Sequence, residues 1–478
     1  VDIEYEDGQH RYFSGIATEF SQVGIVGRYA AYSARLAPWF WFLGRTADCR
    51  VFQNQSVPEI IKTVFRDFGS DEFTDKLSNR YEPWDYCVQY RETALNFVSR
   101  LMEEEGIYCF FQYKDGGHTL VLADGSGAHE PVAGCDEIKF LAGGEGTQAQ
   151  DERMYVWSVH RSAVTGKYSL NDYDYAKPRA ALSSAAQNKS HDTLGELEIY
   201  DFPSFDYKTK KEGDDYAKLR LEAAQARAVQ VAGETNSRGI SVGSLFTLAE
   251  HPRADQNDEY LVTEATHHLS VSGYESGAGG DEPTYSCSFE AIPANTPFRL
   301  EAVTPKPVVA GAQSALVVGP ANEEIWTDEH GRVKVQFPWD RLGKKNQDSS
   351  CWVRVAQVWA GKNWGGVALP RIGQEVIVEF LEGDPDLPIV SGRVYNGDNK
   401  PPYALPANKT QSGIKSRSSP KGGTDNFNEL RFEDKKGSEH VFMQAEKDLE
   451  LNVKNDEQAT VGHDRTRQVK NDETVTID

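Results

Sequence analysis

The chain has 478 residues, 39% hydrophobic and 26% charged, the balance expected of a soluble globular protein with about two to four domains. Its formal net charge of -22, from 73 acidic against 51 basic residues, repels phosphate backbones and argues against a nucleic-acid partner. Its most apolar stretch, 37–43, falls far short of the roughly 20 residues that cross a bilayer as a helix.

The chain opens on Val1 and Asp2 with no basic and apolar leader, and it stops at Asp478 inside a repeating pattern. It is therefore expected to be a piece of a longer protein, exported by a signal-free route or trimmed of its signal. Six cysteines, Cys49, Cys87, Cys109, Cys135, Cys287 and Cys351, are scattered without a CxxC pair. That spacing suits free core thiols in a reducing compartment.

Three helices are predicted. The first has Ser56 as N-cap, Glu59 three residues on, Pro58 in the first turn, an apolar face of Ile60, Ile61, Val64, Phe65 and Phe68, and Gly69 as terminator. The second is expected over 92–105, with Leu95, Val98, Leu101 and Met102 on one face and a stop at Gly106. Its acidic end, Glu103-Glu104-Glu105, reads as a solvated helix terminus rather than a catalytic cluster. The third is expected over 214–232, ending at Gly233.

Strands are expected at 259–272 and 285–292, so that residues 1–300 read as an α+β body built on barrels, followed by a proline-rich hinge at 297–307. Within 301–400 the texture changes to short strands at 324–326, 332–337, 351–359, 365–370, 374–381 and 389–395, the pattern of a small closed barrel such as an OB-fold. A polar linker is expected over 401–437.

The last segment, 438–478, carries a spacing of eight. Val453, Val461, Val469 and Ile477 recur at that interval, and so do Asp448, Asp456, Asp464 and Asp472. Eight is even, so an extended strand returns each branched residue to the same face, whereas a helix overshoots two turns by about 80° and spirals them around its surface. The tail is predicted to be strand, each repeat reaching roughly 26 Å at about 3.3 Å per residue. A ribbon with one branched residue per repeat buries no core alone; identical chains wound about an axis supply both the apolar centre and the edge pairing. Those four residues are the candidate trimer core. A solenoid within one chain is disfavoured because Gly462 is the only glycine between Ser438 and Asp478.

Three long motifs then carry a resemblance over essentially the whole chain. They are Trp326-Thr327-Asp328-Glu329-His330-Gly331-Arg332-Val333-Lys334-Val335-Gln336-Phe337-Pro338-Trp339-Asp340, Trp352-Val353-Arg354-Val355-Ala356-Gln357 and Pro370-Arg371-Ile372-Gly373-Gln374-Glu375-Val376. With Asn428-Glu429-Leu430-Arg431-Phe432-Glu433-Asp434 leading into the octads, the sequence resembles the VgrG spike proteins of type VI secretion systems. The resemblance implies a mainly β protein: a phage-hub-like α+β part, an OB-fold, then the start of a trimeric triple-stranded β-helix needle. It also implies a homotrimer seated on the Hcp tube, tipped by a PAAR-type cone and carrying effector cargo. Such a spike is assembled in the bacterial cytoplasm, secreted without a signal peptide and driven mechanically through a target-cell envelope. No lysozyme domain lies between barrel and needle, and neither cofactor nor metal is expected.

Gly239-Ile240-Ser241-Val242-Gly243 fits GxSxG, but Ser241 runs toward Leu245-Phe246-Thr247, a strand where a nucleophile elbow needs a helix. His267 and His268 are neighbours on an alternating strand and so point to opposite faces, and His330 sits in an Asp-Glu-His-Gly turn. No HExxH, P-loop or paired CxxC is present. The chain is thus read as non-enzymatic. The alternatives are a trimeric fibre or adhesin, or a spike with cell-wall hydrolase activity.

Overall fold

Capping signals fix two of the three helices where the sequence places them. In α1, Val57–Phe68, the N–H of Ser56 donates to Glu59 Oε2 at 2.8 Å, and Gly69 ends the helix at φ +90°. Helix α2 is Ala94–Glu104; its first residue follows Thr93, whose Oγ1 accepts from Asn96 N at 3.1 Å, so Glu92 belongs to the preceding strand Cys87–Thr93. The computed structural model describes residues 1–4, 8, 10–132, 134–141, 152–188, 193–203, 207–271 and 284–477. The chain divides into two units, Val1–Val394 and Tyr395–Asp478.

Helix α3 lies earlier than expected, at Lys210–Gln225. Thr209 and Glu212 form a reciprocal cap there: Glu212 Oε2 accepts from Thr209 N at 3.0 Å, and Thr209 Oγ1 accepts from Glu212 N at 3.3 Å. Residues assigned to its C-terminal half instead form a strand, Val229–Thr235, because pairing on both edges outweighs helix propensity. Gly233 is inside that strand, where a Cβ would lie 2.7 Å from Phe289 Cζ.

The hub sheet is built mainly from β3 (Met154–Arg161), β4 (Val229–Thr235), β5 (Ser244–Ala249), β6 (Glu259–Ser270) and β7 (Thr284–Pro293), in the order β5-β6-β7-β4-β3. The expected strand 259–272 thus ends at Ser270, and its last position lies outside the described residues. Ahead of this sheet, β1 (Ile16–Val26) and β2 (Tyr29–Ala37) pair, among the described residues, only with each other. One apolar cluster packs α1 against α2 through Ile61, Phe65, Phe97 and Leu101; a second fills the inner face of the sheet around Phe246, Val262 and Phe289.

The barrel comprises β8 (Gln313–Val318), β9 (Lys334–Gln336), β10 (Arg354–Val355), β11 (Glu375–Phe380) and β12 (Pro388–Val394), ordered β9-β8-β11-β12-β10. An antiparallel bridge between Val333 and Val353 joins the two outer strands and closes it. Val317, Val335, Val376, Val378 and Val390 fill its interior, one face of each alternating strand. Residues 324–326, expected as a strand, are not one: Trp326 stacks on Trp352 at 6.1 Å while Glu324 O accepts from Ile372 N at 3.0 Å.

The acidic end of α2 is not solvated, and its correction explains why 297–307 is no free hinge. Glu103 is 7% exposed and accepts from Val303 N at 2.9 Å, Thr304 N at 2.8 Å and Thr304 Oγ1 at 2.6 Å. Glu104 pairs with Arg220 of α3 at 2.6 Å. Upstream in the same strap, Arg299 Nε meets Glu222 at 3.1 Å. Downstream, Lys306 Nζ lies 2.6 Å from Asp384 and 2.8 Å from Asp386 of the barrel, and Asp386 Oδ1 accepts from Val88 N of the hub at 2.6 Å. Three prolines stiffen a strap that charged side chains hold on both sides.

Glu105 Oε1 accepts from Trp84 Nε1 at 3.1 Å and Tyr216 OH at 3.0 Å, yet burial raises its pKa from 4.5 to about 7, the two hydrogen bonds offsetting only part of the desolvation. Its folded pKa exceeds the unfolded one, so the native state holds the extra proton and stability falls as pH rises from 4.5 to about 7. Glu105→Gln keeps an accepting oxygen and removes the charge. It is expected to melt above the parent at pH 8 and together with it near pH 4, as followed by thermal unfolding across that range.

Candidate functional site

The second unit starts from a three-stranded antiparallel sheet, β13 (Gln411–Lys415), β14 (Glu429–Glu433) and β15 (His440–Gln444). Residues 401–437, expected as a polar linker, therefore contain two of its strands: Ser412-Gly413-Ile414 alternates too weakly to be read from sequence but pairs residue by residue with β14. Alternation then sorts the sheet. Ile414, Leu430 and Met443 lie opposite one another, as do Phe432 and Val441, so one face is apolar. That face is bare, with Ile414 77% and Met443 64% exposed. On the other face Arg431 stacks over Phe442 at 4.8 Å, and Glu429, which is 5% exposed, accepts from Arg431 Nη1 at 3.2 Å.

Beyond Gln444 the described residues form neither helix nor strand, and from Glu446 onward they lie exposed. The eightfold period is nonetheless visible in the backbone, which bends at 454–455, 462–463 and 470–471, directly after Val453, Val461 and Val469. At each bend the second residue meets the following aspartate: Asn455 Nδ2 to Asp456 at 2.9 Å, His463 Nδ1 to Asp464 at 2.9 Å, Asn471 Nδ2 to Asp472 at 3.0 Å. The expected strand is thus a kinked ribbon, and each repeat advances less than the fully extended length. Val453, Val461 and Val469 are 44%, 50% and 44% exposed, and Ile477 is 91% exposed. Leu449 and Leu451, which the octad register does not include, alternate with Val453 and are 72% and 73% exposed. Their spacing of two was the available signal.

Among the described residues, the other chemistry-bearing motifs do not come together as a site. Gly239–Gly243 of the GxSxG match is a turn, with Gly243 at φ +83°, that enters β5; Ser241 O accepts from Ser244 Oγ at 2.6 Å, and no helix follows. His267 lies among Phe13, Arg11 and Tyr285, its Nδ1 2.9 Å from the Tyr285 hydroxyl, and burial drives its pKa down to about 4, whereas His268 faces solvent. His330 sits in a turn organised by Asp328, which accepts from His330 N at 3.1 Å and Arg332 N at 2.9 Å. All six cysteines are unbridged, and among the described residues no three histidine, cysteine or carboxylate groups converge as metal ligands.

Three family models match the chain: the phage tail baseplate hub over 1–273, the type VI secretion system/phage-baseplate injector OB domain over 317–395, and the bacteriophage T4 gp5 C-terminal trimerisation domain over 412–478. The Pseudomonas aeruginosa type VI secretion system spike protein VgrG1a is 48% identical over 494 aligned positions, covering 100% of this chain and 76% of its own length. The chain belongs to the VgrG family. It is also 50% identical to VgrG1b of the same organism and 49% identical to VgrG1c, over 98% of the chain in each case, and it spans 63% and 64% of those two relatives. Among solved structures, the E. coli c3393 protein, a type VI component similar to T4 tail proteins gp27 and gp5, superposes with a TM-score of 0.56 at 20% identity over 82% of this chain and 86% of its own. The lidded Francisella PdpA-VgrG complex gives 0.51 at 11% identity over 85% of this chain and 64% of that one. The hub, barrel and trimerisation architecture is thus the VgrG fold.

Proposed function

We propose that this chain forms the homotrimeric body of a cell-puncturing spike, with Val453, Val461, Val469 and Ile477 as the core of its needle. The observation that carries this reading is the kinked octad ribbon, whose branched residues stay exposed in the single chain and recur at a fixed bend. Three such ribbons wound together bury them, leaving Lys454, Asp456, Arg465 and Lys470 outward. The bare face of Ile414, Leu430 and Met443 would extend the apolar seam within the same C-terminal unit. The hub, with its closed barrel and braced strap, suits a base seated on a secretion tube, the Hcp ring of the family. A PAAR-type cone at the far tip and effector cargo complete the assembly, and the role is mechanical rather than catalytic. Assembly in the bacterial cytoplasm and release without a signal peptide follow from the same reading.

Deleting the gene in the producing bacterium is expected to stop release of the tube protein into the medium while leaving surface attachment intact. Continued tube release with lost attachment would instead identify a fibre. Purified protein is expected to leave peptidoglycan intact in a clearing assay; clearing would overturn the non-enzymatic reading.

A further inference from the structure

Between β3 and β4 the chain makes a small three-stranded sheet. Lys167–Leu170 is its middle strand, Ser184–Gln187 pairs antiparallel on one side, and Glu198–Asp201 pairs parallel on the other. Helix α3 packs mainly over the middle strand and Ser184–Gln187. Register sets Ile199 beside Tyr168 and Asp201 beside Leu170, so these four share one face of the sheet. The helical cover runs out along that face: Leu170 is 4% exposed, whereas Ile199 is 45% exposed.

What remains is a groove of about 420 Å³, lined by Leu170, Tyr207 and Ala223, with Ile199 and Val303 of the strap as its exposed apolar walls. Two properties define what fits it. Glu198–Asp201 is exposed at all four positions and pairs, among the described residues, on one side only, so its outer edge offers backbone N–H and C=O groups to a further strand. The second property is charge. Glu104 is paired with Arg220 at 2.6 Å and Glu301 with Arg227 at 3.0 Å, but no cation among the described residues pairs with Asp201, whose carboxylate accepts from Phe202 N at 2.8 Å.

We infer that this groove takes an extended segment of a partner protein, which adds to Glu198–Asp201 as a fourth strand. Ile199 and Asp201 are two residues apart on one face, and an added strand repeats that period. The segment therefore carries a branched apolar residue, seated between Ile199 and Val303, and a lysine or arginine one residue removed from it, meeting Asp201. A compact small molecule would leave the strand edge unused. The inference stands apart from the needle and from the homotrimer.

The test pans random octapeptides displayed on phage against the biotinylated full chain, then measures the enriched peptides by fluorescence anisotropy on the parent, Asp201→Lys and Ile199→Lys. Both substitutions are at exposed positions of an edge strand, and circular dichroism checks that the fold is kept. Enrichment of peptides with the apolar-x-basic spacing, in either strand direction, is the expected result. Asp201→Lys should weaken them at least about tenfold, because an attractive pair becomes a like-charge one, and exchanging the peptide's basic residue for glutamate should restore binding to that variant. A library that yields no such peptides, or peptides that bind the parent and both variants alike, would overturn the inference. Peptides that bind but dissociate the chain's own oligomer, seen as a fall in mass by light scattering, would make a second copy the occupant and overturn the foreign partner.

Discussion

Val461→Asp combined with Val469→Asp is expected to open the tail to trypsin at Lys454, Arg465, Arg467 and Lys470. In the wound ribbon these sites are held in a rigid path that a protease cannot thread, although their side chains face water. Each substitution would bring three carboxylates together on an apolar axis, and burying an unpaired ion costs several kcal/mol. At 1.36 kcal/mol per factor of ten, cleavage is expected to accelerate by at least about a hundredfold. Asp456→Asn, at a position proposed to face outward, is the control and should leave the cleavage rate unchanged. Size alone is a poor readout, since any contacts between copies outside the needle would keep the trimer together. A parental tail cut as fast as the double variant would show that the ribbon is not wrapped at all.

The second large effect is expected at Glu92. Its carboxylate meets Arg100 at 2.9 Å with both side chains 6% exposed, and Arg100 Nη2 also donates to Val88 O at 2.9 Å, tying α2 to the preceding strand. Removing one partner leaves a buried, uncompensated charge. Glu92→Ala is therefore expected to destabilise the hub by about 3–5 kcal/mol, a fall of about 10 °C in its thermal transition. Replacing both partners, Glu92→Leu with Arg100→Met, should recover most of the loss, because a well-packed apolar pair can match a buried ion pair. A single variant that melts with the parent would show that solvent reaches this pair.

Much of this was legible in the sequence where the signal was local. The first helix has its cap, its face and its glycine within 14 positions, 56–69, and folds accordingly. Val333, Val335 and Phe337 alternate cleanly and line the barrel. Where the signal was non-local, reading failed in an instructive way. Thr209 and Glu212 have the spacing of a capping box, but two lysines between them hid the start of α3, and the alanine-rich run after it drew the helix into what sheet pairing makes β4. Three consecutive glutamates at a helix end look solvated until their partners arrive from Val303, Thr304, Arg220, Trp84 and Tyr216, all distant in sequence. The octad period was visible, its kinks less so: only the bend at 462–463 has a glycine, and those at 454–455 and 470–471 rely on asparagine.

The strap over 297–307 has a bearing on how such a body could transmit load. A spike driven from behind behaves as a column under thrust, and a column fails by buckling at its most compliant joint. In this chain the passage from hub to barrel would be that joint if it were loose. Instead, Glu103, Arg299 and Lys306 anchor it at three points along its length, so tilting the barrel away from the hub would require several charge-assisted bonds to part together. Stiffness there would let a push delivered at the base arrive at the far end of the barrel with little lost to bending.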